Sequence, residues 1–135
     1  MIKERYVNSE VAKLLKDKCF NEPCRSVYEE KNLNITIYSY INSELSSGYV
    51  CAPTQAMACD WVEETFNIAI VLDLTILGFE PVFLNGHKDS NTASTAFLAG
   101  KDYMPMPVGD NSDGSWSSKE LAYNEALKYV LTNLV

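Results

Sequence analysis

Between Thr54 and Leu77 the apolar residues change period once, and that change constrains the fold more than any other feature of the chain. Ala58, Val62 and Phe66 recur at four-residue steps with Met57 and Trp61 beside them, and Asp60, Glu63, Glu64 and Asn67 fall opposite. That spacing marks one side of a helix. Thr54, preceded by Pro53, is placed as its N-cap, because a short side-chain oxygen takes a free first-turn N–H. From Ile68 the period drops to two. Ile68, Ile70, Leu72, Leu74 and Ile76 line one face, while Ala69, Val71, Asp73 and Thr75 line the other, which predicts a strand over Ile68–Leu77.

Leu77-Gly-Phe-Glu80 reads as a tight turn and Val82–Leu84 as the returning strand. Pro81 donates nothing to a ladder, so it is expected at an edge or a strand start. A third strand is expected over Thr95–Tyr103, interrupted by Gly100, and Met104–Pro107 reads as a sheet rim. The last helix carries a capping box of Ser117 and Glu120, with Trp116 and Leu121 as the hydrophobic staple. Leu121, Ala122, Ala126, Leu127, Val130, Leu131 and Leu134 form its apolar face.

Upstream, Val11, Leu14 and Leu15 make one stripe of a helix over Ser9–Lys18, capped by Asn8 or Ser9 and ended near Pro23. Its "EVAKLL" resembles the first helix of a winged helix-turn-helix, but Asn21-Glu-Pro-Cys24 follows where a recognition helix belongs. Asn34–Ile41 alternates, with Ile35, Ile37 and Ile41 against Thr36, Tyr38 and Tyr40, and predicts a strand; Asn42–Gly48 reads as polar loop. The whole is an α+β domain: a two-layer arrangement with an antiparallel sheet of three to four strands and about three helices packed on it. With 135 residues the chain suits a single domain over 1–135, with a helical segment over 1–31 and an α-β-β-β-α unit over 54–134. That order matches the double-stranded-RNA-binding domain, although order alone does not carry function.

Charge argues against that role. Residues 1–31 hold seven of the eleven Lys and Arg with six acids interleaved, and no Lys or Arg occurs from Asn32 to Gly86. A duplex binder needs a dense basic face to displace phosphate counterions, so nucleic acid is a poor partner and a basic protein surface a better one. Met1–Tyr6 has no apolar leader character, and the longest apolar run, Ile68–Leu72, is far short of a membrane span. The expectation is a cytoplasmic, acidic protein with reduced cysteines.

Three blocks, "YVNSEVAKLLKDKCFNEPC", "CAPTQAMACDWVEETFNIAI" and "AYNEALKYVLTNLV", resemble in order and spacing an uncharacterised group of small phage and prophage proteins of Bacteroidetes. They cover less than half of the chain. Two departures stand out: Cys19 occupies the place of a helix-ending glycine, and acidic Glu63-Glu64 the place of basic residues. The resemblance implies no activity.

Catalytic and metal-binding patterns are thin. Cys19-x4-Cys24 and Cys51-x7-Cys59 lack the Cys-x2-Cys spacing of structural zinc sites, and His87 is the sole histidine. Cys51 ahead of a helix N-terminus, with His87 and Asp89 in a turn, is a candidate thiolate–imidazole pair. No oxyanion-type glycine turn adjoins Cys51, so helix capping accounts better for "APTQ". Asn111, Asp113, Gly114, Ser117 and Glu120 fall on calcium-loop positions. Gly109, however, stands where the first aspartate belongs, and Met104-Pro-Met-Pro-Val108 does not build the preceding helix. No cofactor is indicated. The reading is a non-catalytic accessory protein that binds another protein; the alternatives are a nucleic-acid-associated module and a small cysteine-dependent enzyme. A homodimer is expected as well, because Tyr129, Val130, Leu131, Leu134 and Val135 exceed one helical stripe.

Overall fold

A helix whose apolar residues recur every three to four positions must bury that stripe, and the first helix shows how locally this is arranged. In the computed structural model, which describes residues 4–85, 103–105 and 116–135, α1 spans Ser9–Asp17. Asn8 caps it, its side-chain oxygen accepting from the Val11 N–H at 2.9 Å. Val11, Ala12 and Leu15 are buried. The helix stops in a left-handed turn: Cys19 has φ 71, its N–H donates to the Lys16 carbonyl at 3.0 Å, and the Phe20 N–H donates to the Leu15 carbonyl at 2.9 Å. This is a Schellman closure, with Phe20 and Leu15 both buried across it.

The chain divides into two compact units, Met1–Ala58 with Lys128–Val135, and Cys59–Leu127. The first holds an antiparallel sheet in the order β2-β1-β3, from β1 (Cys24–Glu29), β2 (Asn32–Tyr40) and β3 (Tyr49–Cys51). Residues 1–31 are therefore not helical beyond Asp17, because β1 lies within them. Its strand formers are only Val27 and Tyr28, set between Arg25 and Glu29, too few for a visible alternation. Tyr28 is anchored by its hydroxyl, which donates to the Val7 carbonyl at 2.8 Å. The expected loop Asn42–Gly48 starts with a 3-10 turn over Asn42–Glu44, and Asn42 is buried. Its amide donates to the Phe20 carbonyl at 2.8 Å, and its oxygen accepts from the Cys51 N–H at 2.9 Å. One side chain thus satisfies two backbone groups from separate segments, which a buried amide must do to offset its desolvation.

α2 (Gln55–Phe66) enters through Thr54, whose hydroxyl accepts from the Met57 N–H at 3.2 Å. Asn67, at φ 60, ends it in the left-handed region that asparagine tolerates. In the second unit β4 (Ile68–Thr75) and β5 (Gly78–Asn85) form a hairpin of eight successive pairs, and β6 (Tyr103–Pro105) completes a sheet in the order β4-β5-β6. β4 ends at Thr75, and Ile76-Leu77 form the turn instead of continuing the strand. The expected third strand lies outside the described residues except at Tyr103, and Met104 and Pro105 of the expected rim belong to β6.

Pro81 corrects another expectation, since it is buried inside the central strand β5. Phe79 exchanges both backbone bonds with Trp116, at 2.8 and 2.7 Å, and the β6 ladder begins at Val82. Among the described residues Pro81 falls between these two partners and is asked for no ladder N–H on that side. α3 spans Lys119–Tyr129, and the Ser118 hydroxyl, next to the Ser117 expected as the cap, accepts from the Leu121 N–H at 3.2 Å. A π-helical turn, Val130–Leu134, follows. Val130 and Leu131 are fully buried, so the apolar surplus expected at this end does not exist at those positions. Lys18 Nζ donates to the Val135 carbonyl at 3.1 Å, and Lys128 pairs with Glu10 at 3.1 Å, tying α1 to the end of the chain. The fold is mixed α+β with antiparallel pairing, carried among the described residues by two three-stranded sheets rather than one.

Candidate functional site

β2 is read from its alternation as a regular strand, yet its ladder breaks. Cys24 faces Tyr40 and Ser26 faces Ile35, so the single residue Arg25 of β1 stands against Thr36, Ile37, Tyr38 and Ser39 of β2. Four residues in place of one must bow outward. The Thr36 hydroxyl lies 2.7 Å from the Tyr38 carbonyl oxygen and 3.0 Å from that of Arg25, which closes the bulge and fastens it to β1. Ile37 is 82% exposed, and Ile35 and Tyr38 are each 66% exposed. Among the described residues β2 has one neighbouring strand, so its outer edge keeps backbone donors and acceptors unpaired in the sheet.

Thr36 also lines two cavities. One, of about 460 Å3, has Val27, Tyr40, Leu45 and Tyr49 in its wall and Glu44 beside them. The Tyr49 hydroxyl donates to Glu29 at 2.5 Å, and that carboxylate raises the tyrosine above its usual range. The other cavity, of about 450 Å3, is lined by Cys24, Ser26, Ile35, Pro53 and Met57. The buried Ser26 hydroxyl finds no hydrogen-bond partner among the described residues.

Beneath the bulge lie two thiols. Cys51 is fully buried, and its Sγ lies 3.3 Å from the carbonyl oxygen of Tyr40, the ladder partner of Cys24. Cys24 Sγ lies 3.5 Å from the Glu22 carbonyl oxygen. A hydrogen bond from Cys24 holds Cys51 below the usual thiol range against the opposing effect of burial, with help from the Lys16 charge. The same bond, then burial, pushes Cys24 up.

The structure therefore brings Cys51 and Cys24 together at Tyr40, a juxtaposition the sequence did not suggest, while His87 and Asp89 lie outside the described residues. Asn111 and Asp113 also lie outside them, and Glu120 is exposed on the first turn of α3. Trp116 is held by its backbone exchange with Phe79; its indole Nε1 is buried and unpartnered among the described residues. Leu121, its expected staple partner, is exposed. Burial, then the nearby Asp60 and Glu63, push the Cys59 thiol up to about 12. Among the described residues no three His, Cys, Asp or Glu gather as metal ligands, and no helix is long and apolar enough to cross a membrane. Neither the bulge nor Asn42 has a sequence signal: Ile35, Ile37, Tyr38 and Tyr40 continue a strand pattern through the break. Comparison with protein-family models, with curated proteins and with solved structures gives no match.

Proposed function

We propose that this chain is a non-catalytic accessory protein of the cytoplasm, of the phage or prophage type its helical blocks resemble, and that it binds another protein through the bulged edge of β2. The observation that carries the reading is the exposure of Ile35, Ile37 and Tyr38 together on a strand with one neighbour among the described residues. An isolated exposed apolar residue needs no explanation, but three on an open edge flanked by cavities offer backbone pairing and side-chain anchorage to an extended segment. The absence of Lys and Arg from Asn32 to Gly86 favours a basic partner over nucleic acid or an acidic one. A cysteine-dependent enzyme draws less support, because Cys51 is fully buried.

The test is capture of partners from the host with the wild-type chain and with Ile37→Asp and Tyr38→Ser. Loss of the same captured protein from both variants, at unchanged melting temperature, supports the edge as the contact. Undiminished capture rejects it, and submicromolar binding of duplex RNA or DNA at physiological salt favours the nucleic-acid reading instead. Self-association is a second reading, now motivated by the β4–β5 turn, where Leu74 is 77% exposed and Ile76 is fully exposed. Light scattering at micromolar concentration tests it: a monomer mass of 15.1 kDa rejects it, and a dimer dissociated by Ile76→Asp supports it.

A further inference from the structure

Register places four side chains of the first unit on one face of its sheet. Val27 faces both Asn34 of β2 and Cys51 of β3, and Glu29 faces Asn32 and Tyr49. Ladder partners project to the same side, and so do residues two apart, so Val27, Glu29, Asn34 and Tyr49 stand together. Val27, Asn34 and Tyr49 line the cavity of about 460 Å3, a volume ordinary for a small-ligand site, and Glu44 and Leu45 from the segment after β2 line it too. Glu29 joins them through the Tyr49 hydroxyl, which donates to it at 2.5 Å.

The wall is acidic, aromatic and apolar at once. Glu44 supplies a carboxylate, Tyr40 and Tyr49 supply rings, and Val27 and Leu45 supply apolar surface, while among the described residues no Lys or Arg lines it. Lys16 comes close from α1, its Nζ 3.4 Å from the Tyr49 carbonyl oxygen, but it sets one positive charge against the carboxylates of Glu29 and Glu44. Arg25 belongs to the lining of the other cavity, and Lys31 is exposed in the β1–β2 turn beside Glu30. An ammonium is compact and strongly hydrated, and it sheds that water at a cost against such a wall. A guanidinium is planar and weakly hydrated, lies against aromatic and apolar surface, and meets a carboxylate through two N–H groups.

We propose that this cavity is a guanidinium site, filled by an arginine side chain of the partner segment that pairs with the outer edge of β2. The source of the arginine rests on the reading of β2 as the binding edge, whereas the preference for a guanidinium rests on the cavity alone. Asn34, Thr36 and Tyr40 put part of the wall on β2 itself. Ile35 faces Ser26, on the other side of the sheet from Asn34. An extended segment laid along β2 sends alternate side chains to the two faces, so one set meets Ile35 and the other reaches the cavity. The apolar stem of the arginine then passes Leu45 while its head group meets Glu44.

Nα-acetyl-argininamide added to the full chain tests the site without a partner. Saturable amide shifts in NMR spectra are expected at Val27, Asn34, Thr36, residues 44–46 and Tyr49 at millimolar probe, fading as salt rises. The neutral citrulline analogue should produce none, and the lysine analogue smaller ones. Glu44→Gln should weaken binding by about threefold to tenfold at unchanged melting temperature. Absent shifts, shifts spread over the surface carboxylates of both units, or equal shifts with the citrulline analogue overturn the proposal. If Glu44→Gln fails to fold, the arginine and citrulline probes on the wild-type chain decide alone. Capture of the partner separates the two readings. Loss of capture with Ile37→Asp but full capture with Glu44→Gln keeps the edge and rejects the arginine subsite. A probe that binds as expected, with capture undiminished by Ile37→Asp, removes the edge and keeps the guanidinium site.

Discussion

The two units each contain a two-residue hairpin, and the two hairpins are built differently. β4 and β5 turn through Ile76-Leu77 and then Gly78 at φ 130, a conformation rare for a side-chain-bearing residue. The Thr75 hydroxyl supports the turn, accepting from the Leu77 N–H at 3.1 Å. Eight pairs follow without a shift. β1 and β2 turn through Glu30-Lys31, with Glu30 forced to φ 57, and their register shifts between Ile35 and Tyr40. Where turn chemistry and strand period agree, the ladder is regular. Where they do not, side chains elsewhere must hold the sheet, and in the first unit Asn42 and Thr36 do so.

The sharpest way to break this comparison is therefore Asn42→Ala. It leaves the Phe20 carbonyl and the Cys51 N–H without the partner they have now, at about 1–3 kcal/mol each. A loss of about 3 kcal/mol in urea unfolding is expected. A loss below about 1 kcal/mol would mean that water or a backbone shift replaces the amide, and that the first unit does not depend on this residue. In the second unit the vulnerable point is the turn itself. Gly78→Ala places a Cβ at φ 130 and should cost about 1–2 kcal/mol. An unchanged urea midpoint would show that the turn relaxes freely and that its glycine does not set the register.

What was legible in the sequence follows the same division. The switch from helix to strand at Asn67-Ile68, the Thr54 cap and the β4–β5 hairpin carry local signals, because period, cap and glycine all act within a few residues. β1 carried none: its alternation is too short, and it is a strand because two others pair with it. The candidate site was less legible still. Cys51 drew notice for its place before a helix, but its partner Cys24 lies in another strand, and only the fold brings the two together. Exposed Ile35 and Ile37 look in sequence like core residues, since period two assigns a side chain to a face and does not say whether that face is covered.

The half-buried Cys59 and the buried Cys51 extend the contrast to pH. Cys59 is raised from 9.0 to about 12, first by burial, so the folded chain keeps a proton that the unfolded chain loses. That contribution is complete below pH 9 and is lost as pH rises toward 12, and by pH 10 the loss should be about 1 kcal/mol. Cys51 is lowered, chiefly by Cys24, so its contribution has the opposite sense: present above the ordinary thiol pKa and lost as pH falls through the folded value. Urea midpoints at pH 8 and pH 10 should fall further apart in wild type than in Cys59→Ala. Equal differences would mean that the Cys59 thiol is solvated and titrates as it does in the unfolded chain.

The smallest effect separates the units by the residues they place at left-handed positions. The first unit puts Cys19 at φ 71 and Glu30 at φ 57, while the second puts Asn67 at φ 60. The side chains of cysteine and glutamate crowd the following carbonyl in this region, whereas asparagine tolerates it. Glycine removes that crowding but gains freedom in the unfolded chain, so the net benefit is smaller than the strain itself. Cys19→Gly and Glu30→Gly should each stabilise by about 0.5–1 kcal/mol, and Asn67→Gly by close to nothing. Cys19 adds a second condition, because its N–H bond to Lys16 and the neighbouring Phe20–Leu15 bond require the left-handed turn to persist. A β-branched Cys19→Val should therefore destabilise where glycine stabilises. If glycine and valine move the urea midpoint in the same direction, backbone conformation does not govern these positions, and the difference between the hairpins has another cause.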